Sequence, residues 1–221
     1  MPTQIKSTHL LPRMPWSSNT LWTLEWRSFS VLLLSLSCLG IGDGLIVLAN
    51  LGSNPWTVLS QGIAQQMNIS IGFTSLFVSL FVMLFWLPLK LKVGLGTVMN
   101  IIIIALFLGL TVAHFPAPSI LWGKLSYVLG GILLFGVGSA FYLTCHLGAG
   151  PRDGLMVGLC QHFGLKVGLV RTLLETSVCL LGFLLGGTVG VGTLMFAISI
   201  GWVIQLTLKY LFSEKILKKA E

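Results

Sequence analysis

The chain has six acidic residues. Glu25, Glu214 and Glu221 lie near its two ends, which leaves Asp43, Asp153 and Glu175 inside the apolar body. An ionised side chain at the centre of a bilayer costs about 2.5–3.5 kcal/mol on insertion scales, so each of the three is a candidate for function. Asp43 sits in Gly40-Ile41-Gly42-Asp43-Gly44. The glycines clear bulk from around the carboxyl group and let another backbone come close. No basic residue falls within four positions of it, so its partner comes from elsewhere in the fold or the group is protonated. Two readings follow: a proton-coupling acid, or a hydrogen-bonding tie between helices.

Arg171 and Glu175 are spaced i, i+4 and share one helix face. They form either a static pair or one that opens when a substrate or proton competes for a member. Arg152 and Asp153 follow Pro151 at a helix start. There the acid complements the positive helix end, while the arginine and free N–H groups suit an anion. The matching stretch earlier in the chain is uncharged: Asn50, Asn54, Trp56, Thr57 and Gln61. A site between the two stretches is polar on one side and cationic on the other, which suits a small anionic or amphiphilic solute. The candidate substrate-binding set is therefore Asp43, Asn50, Asn54, Thr57, Arg152, Asp153, Arg171 and Glu175.

No catalytic residue, metal site or cofactor is expected. Cys38, Cys145, Cys160 and Cys179 lie in or beside apolar segments without metal-ligand spacing and read as small buried hydrophobes. His114, His146 and His162 are likewise not spaced as ligands. There is no HExxH, no GxSxG and no nucleophile beside a base, so the chain does not read as an enzyme.

The elements that hold these residues are membrane helices. Hydrophobic residues make up 55% of the chain and charged ones 9%, against about 25% charged in soluble domains. Six spans are expected, at 29–51, 71–90, 94–114, 121–145, 166–186 and 191–212. A short helix of about 13 residues follows the first and fourth, opening at Pro55 and Pro151. Proline suits the first helical position because its missing N–H costs nothing there. At 1.5 Å per residue such a helix reaches roughly 20 Å, too little to cross a bilayer core of about 30 Å. It either re-enters the membrane or lies flat at the surface.

With the N-terminus in the cytoplasm, every lysine and arginine except Lys124 falls on the inner side, as the positive-inside rule requires. The net charge of +7 is thus a topology signal and does not point to nucleic acid. The first 28 residues are polar and broken by proline, unlike a cleaved signal peptide. Phe73–Phe85 and Trp22, Trp26, Trp56, Trp122 and Trp202 read as lipid-facing bulk and interface anchors. Gly130-Gly131, Gly136, Gly138, Gly182 and Gly186-Gly187 read as points of close helix packing.

The second half repeats the first at an offset of 96 residues. Gly40/Gly136, Gly42/Gly138, Leu51-Gly52/Leu147-Gly148, Pro55/Pro151, Gly62/Gly158 and Gly72/Gly168 coincide. So do Val93-Gly94-x-Gly96-Thr97-x-Met99 and Val189-Gly190-x-Gly192-Thr193-x-Met195. Matched glycines and prolines mean matched backbone, because these residues permit or fix particular torsions. Three spans is an odd number, so the second copy must run inverted, an arrangement frequent in transporters with sites at broken helices. The expected fold is an all-α polytopic membrane protein with six transmembrane helices in two inverted three-helix repeats. Each repeat carries a short broken or re-entrant helix after its first span. The expected divisions are a cytoplasmic N-terminal tail 1–28, repeats 29–115 and 119–212, and a basic cytoplasmic tail 213–221.

The stretches Leu51–Gly72, Gly94–Asn100, Leu147–Arg171 and Leu185–Thr193 resemble the YczE-type bacterial membrane proteins of the YczE/YyaS/YitT group. The resemblance implies a bacterial inner-membrane location, and assigns no reaction and no site residue; both termini are expected in the cytoplasm from the charge distribution. Trp56-Thr57 stands where that pattern leads one to expect Trp-Asp, whereas Arg152-Asp153 keeps the acid. Two functions are expected from these features. One is a small-solute transporter working between the repeats. The other is a non-transporting subunit or substrate-binding module joined to a partner protein, with a homo-oligomer also open.

Overall fold

The computed structural model describes residues 14–217, with the backbone alone from 214 onward. Residues 1–13 of the expected N-terminal tail and 218–221 of the basic tail lie outside the described residues. Nine helices are described: α1 Trp26–Ala49, α2 Pro55–Met67, α3 Ile71–Leu84, α4 Trp86–Leu89, α5 Leu95–His114, α6 Leu121–Thr144, α7 Pro151–Phe163, α8 Val167–Leu184 and α9 Val191–Leu217. Among the described residues six stretches are long and apolar enough to cross a membrane: α1, α3 running on through α4, α5, α6, α8 and α9. They coincide with the six expected spans to within a few residues. The two short helices, α2 and α7, have 13 residues each.

Local chemistry sets the ends. Asn54 caps α2, its Oδ1 accepting from the Thr57 N–H at 3.0 Å, with Pro55 in the first turn. Such a cap satisfies one of the orphan N–H groups of a helix start. Ser70 caps α3 in the same way. α1 stops at Asn50, a residue with φ of 51°. All left-handed residues among those described pair at the 96-residue offset: Asn50 with His146, Gly52 with Gly148, Asn68 with Gly164, and Lys90 with Gly186.

α1 and α6 form the central pair, with α5 against α1 and α9 against α6. α3 lies on α5, α2 on α8, and α7 on both α3 and α8. Apolar burial gives little drive in lipid, so close packing decides which helices pair. The α1–α6 seam shows this. A Cβ on Gly42 would lie 2.6 Å from the Gly131 carbonyl oxygen, and one on Gly138 would lie 2.7 Å from that of Ser35. These two contacts exchange when 96 is added to one partner's number and taken from the other's.

The buried clusters follow the same rule. Leu32, Leu36, Tyr142 and Cys145 fill one end of the α1–α6 seam, and Val128, Ile132, Ile46 and Ala49 fill the other. A third cluster joins α2, α3, α4, α7 and α8 through Trp56, Val78, Val82, Trp86, Leu155 and Val178. The segment just before α1, expected as tail, is docked. Trp16 Nε1 donates to Thr144 Oγ1 at 2.9 Å, and Ser17 Oγ donates to the Thr144 carbonyl at 2.6 Å. The Ser18 N–H donates to the Cys145 carbonyl at 2.9 Å, and the Leu95 N–H donates to the Leu21 carbonyl at 2.8 Å. The strap thus satisfies groups left over at the end of α6 and the start of α5.

Candidate functional site

The loops that enter α2 and α7 cross to the opposite half. The Gly192 N–H donates to the Leu51 carbonyl at 2.7 Å, and the Gly96 N–H donates to the Leu147 carbonyl at 2.8 Å. Thr97 Oγ1 ties the second loop further by donating to the Ala149 carbonyl at 2.7 Å. Each short helix then leans on the turn between two spans of the other half. α2 meets Gly182 on α8, while Gln61 accepts from Thr188 Oγ1 at 3.0 Å. α7 meets Trp86, whose Nε1 donates to the Pro151 carbonyl at 3.0 Å and whose ring fills the space above Gly154.

This placement brings the first turn of α2 onto Asp43. The carboxylate is fully buried. Its Oδ1 accepts from Asn54 Nδ2 at 2.5 Å and its Oδ2 from Thr57 Oγ1 at 2.6 Å. Asn54 therefore uses both ends of its amide, capping α2 with one and binding Asp43 with the other. The sequence left the acid's partner open, and the structure supplies two uncharged donors from the next helix.

Trp56, between those donors in sequence, carries the Arg152 guanidinium on its ring face, with Cζ 5.4 Å from the ring centre. Contacts of this kind contribute about 0.5–2 kcal/mol. Trp56 and Arg152 are themselves 96 residues apart, so the first turns of α2 and α7 touch at corresponding positions. Arg152 also lies within Coulombic reach of Asp43 and Asp153. Arg171 and Glu175 form the expected ion pair at 2.9 Å. Together with Arg152, Asp153, Met156, Trp56 and Leu174 they line a cavity of about 60 Å³.

Seven of the eight expected site residues thus gather in two adjoining groups. Asp43, Asn54 and Thr57 form the buried one, and Arg152, Asp153, Arg171 and Glu175 form the cavity. Asn50 does not join either: it is exposed and serves as the left-handed stop of α1. Trp56, expected at the lipid interface, is 9% exposed and stands between the two groups. Phe77, Phe81 and Phe85, expected as lipid-facing bulk, are exposed and also line a partly open apolar groove of about 920 Å³ bounded by α2, α3, α4, α7 and α8. Trp86 escaped the sequence reading. Its partner is Gly154, and a tryptophan opposite a distant glycine leaves no local pattern to find.

A model of a family described as "Family of unknown function (DUF6198)" matches residues 26–209. An uncharacterized protein of Haemophilus influenzae is 59% identical over 203 residues, covering 92% of this chain and 93% of the relative. The uncharacterized membrane protein YczE of Bacillus subtilis is 27% identical over 199 residues, covering 85% of each. The resemblance to YczE-type proteins is therefore borne out. No solved structure matches.

Proposed function

The chain belongs to the DUF6198 family of membrane proteins, whose description carries no activity, and from the geometry we propose that it is a bacterial inner-membrane transporter of a small solute. Its two halves are inverted repeats that rock about the α1–α6 seam, and α2 and α7 are re-entrant helices whose first turns form the site. Reciprocity supports the repeat. Exchanging the halves maps the Leu51–Gly192 bond onto the Leu147–Gly96 bond, and carries the left-handed residues onto one another. That is what a two-fold axis in the membrane plane requires. The distribution of lysine and arginine supports cytoplasmic termini.

One observation carries the transport reading. A buried acid, Asp43, is bound by the first turn of one short helix, and that same turn meets the first turn of the other at Trp56–Arg152. Irregular backbone and charge inside a membrane protein are tolerated where they are buried in protein or line a cavity. Arg152, Asp153, Arg171 and Glu175 do line one. Movement of one half against the other would open and close it from alternate sides.

The test is flux. Protein in sealed vesicles is assayed for uptake across a panel of labelled metabolites, alongside Asp43→Asn. The expected result is uptake by the wild type and none by the variant at equal folded protein. Unchanged uptake by Asp43→Asn removes this acid from the mechanism, and no flux with any solute removes transport.

A second reading is a membrane subunit of a larger assembly. It is favoured by α8 and α9, whose apolar stretches are only 11% and 22% buried. A stoichiometric partner recovered in mild detergent, without which flux is absent, supports that reading instead.

A further inference from the structure

The groove and the charged cavity adjoin, with Trp56 and Leu174 lining both. The groove is almost wholly apolar, and its walls come in offset pairs: Leu59 with Leu155, Met67 with Phe163, and Val82 with Val178. Both halves therefore contribute to it, the first more than the second, and motion of one half against the other changes its form. Its volume of about 920 Å³ lies at the upper end of the roughly 300–1,000 Å³ typical of sites for organic ligands. The charged cavity beside it, at about 60 Å³, has room for only a few non-hydrogen atoms, given about 30 Å³ for each water in the liquid.

The charges at that end are not equally engaged. Arg171 is paired with Glu175. Arg152 is half-buried, with its guanidinium carbon over the Trp56 ring. Among the described residues no carboxylate lies within salt-bridge distance of it, and Asp43 and Asp153 act on it only at longer Coulombic range. A guanidinium fixed in this way presents a planar fork of N–H donors, which matches a carboxylate in two-point contact.

We infer that the ligand is a single-chain amphiphile with a compact carboxylate head, its hydrocarbon chain in the α2–α3–α7–α8 groove and its carboxylate on Arg152. The inference rests on the proposed site and names its substrate class. The groove takes the chain directly from the bilayer, so the ligand need not pass through water. Trp56 holds the guanidinium that meets the head, and Arg171, paired with Glu175, leaves Arg152 as the arginine that takes the carboxylate.

The test is equilibrium binding of labelled dodecanoate to the purified full-length protein in neutral detergent, with acetate and dodecylamine as competitors. Dodecanoate is expected to bind saturably. Acetate should not displace it, because it lacks the chain, and dodecylamine should not, because it lacks the anion. Leu155→Trp, which fills the groove, and Arg152→Gln should each weaken binding at least about tenfold, with melting temperatures reporting that the fold is kept. If Arg152→Gln does not fold, Arg152→Lys replaces it. That variant keeps the charge and loses the fork, and should weaken binding severalfold.

Displacement by dodecylamine, equal binding by folded Arg152 variants, or no saturable dodecanoate binding overturns the inference. If dodecanoate does not bind but a polar solute shows Asp43-dependent flux, the transport reading stands and only the substrate class falls.

Discussion

At the scale of single residues, Asp43 shows how far composition reaches. An acid among glycines in an apolar span stands out from the sequence because burying it has a cost that something must offset. What offsets it is not local. Asn54 and Thr57 are polar residues of ordinary appearance in a turn, and only the fold sets them on the two carboxylate oxygens. Thr57→Val keeps the shape and removes one donor, leaving a buried acceptor short of a bond. The expected cost is about 1–3 kcal/mol, read as a lower melting temperature, while an unchanged melting temperature would mean that the bond contributes nothing. Asn50 teaches the converse. It has the same polar chemistry and lies near Asn54 in sequence, but its left-handed backbone ends α1 and leaves it outside the site.

At the scale of elements, spans and breaks were readable because hydrophobic length, proline and glycine act locally. The short helices open at Pro55 and Pro151 as expected. Left-handed positions were legible only in part. Gly52 and Gly148 announce themselves, whereas Lys90 matches Gly186, and Asn50 matches His146, with no shared residue type. Backbone geometry was kept where side-chain identity was not. The docking of Trp16–Ser18 on α6 was hidden for a similar reason, since its partners are 127 or 128 residues away.

Helix pairing gives a clean test at this scale. On α1, Gly42→Val would drive a Cβ into the Gly131 carbonyl and should cost about 1–3 kcal/mol, as overpacking does. On α6, a Cβ at Gly130 meets nothing within 4 Å, so Gly130→Ala should be neutral or stabilise by up to about 1 kcal/mol. Equal melting temperatures for the two variants would contradict the close α1–α6 seam.

At the scale of the whole molecule, the inverted arrangement we propose makes a prediction that needs no substrate. Ser70 and Lys166 are corresponding positions 96 residues apart, both exposed, each just before a span. In a background without the four native cysteines, Ser70→Cys should react with an impermeant thiol reagent from outside intact cells. Lys166→Cys should react only once the cytoplasmic face is opened. Labelling of both from one side would exclude inversion.

The sequence by itself determined the class of protein, the number of spans, the two short helices and the offset that relates the halves. All of these follow from properties carried by neighbouring residues: apolar length, charge at span ends, and the torsions that glycine and proline allow. The tertiary structure alone decided which polar groups meet. It set Asn54 and Thr57 on Asp43, laid Arg152 across Trp56, turned Phe77, Phe81 and Phe85 into the wall of a groove, and left Asn50 aside. Those outcomes depend on how distant helices approach one another in lipid, where contact between shapes, spread across the whole chain, selects the partners.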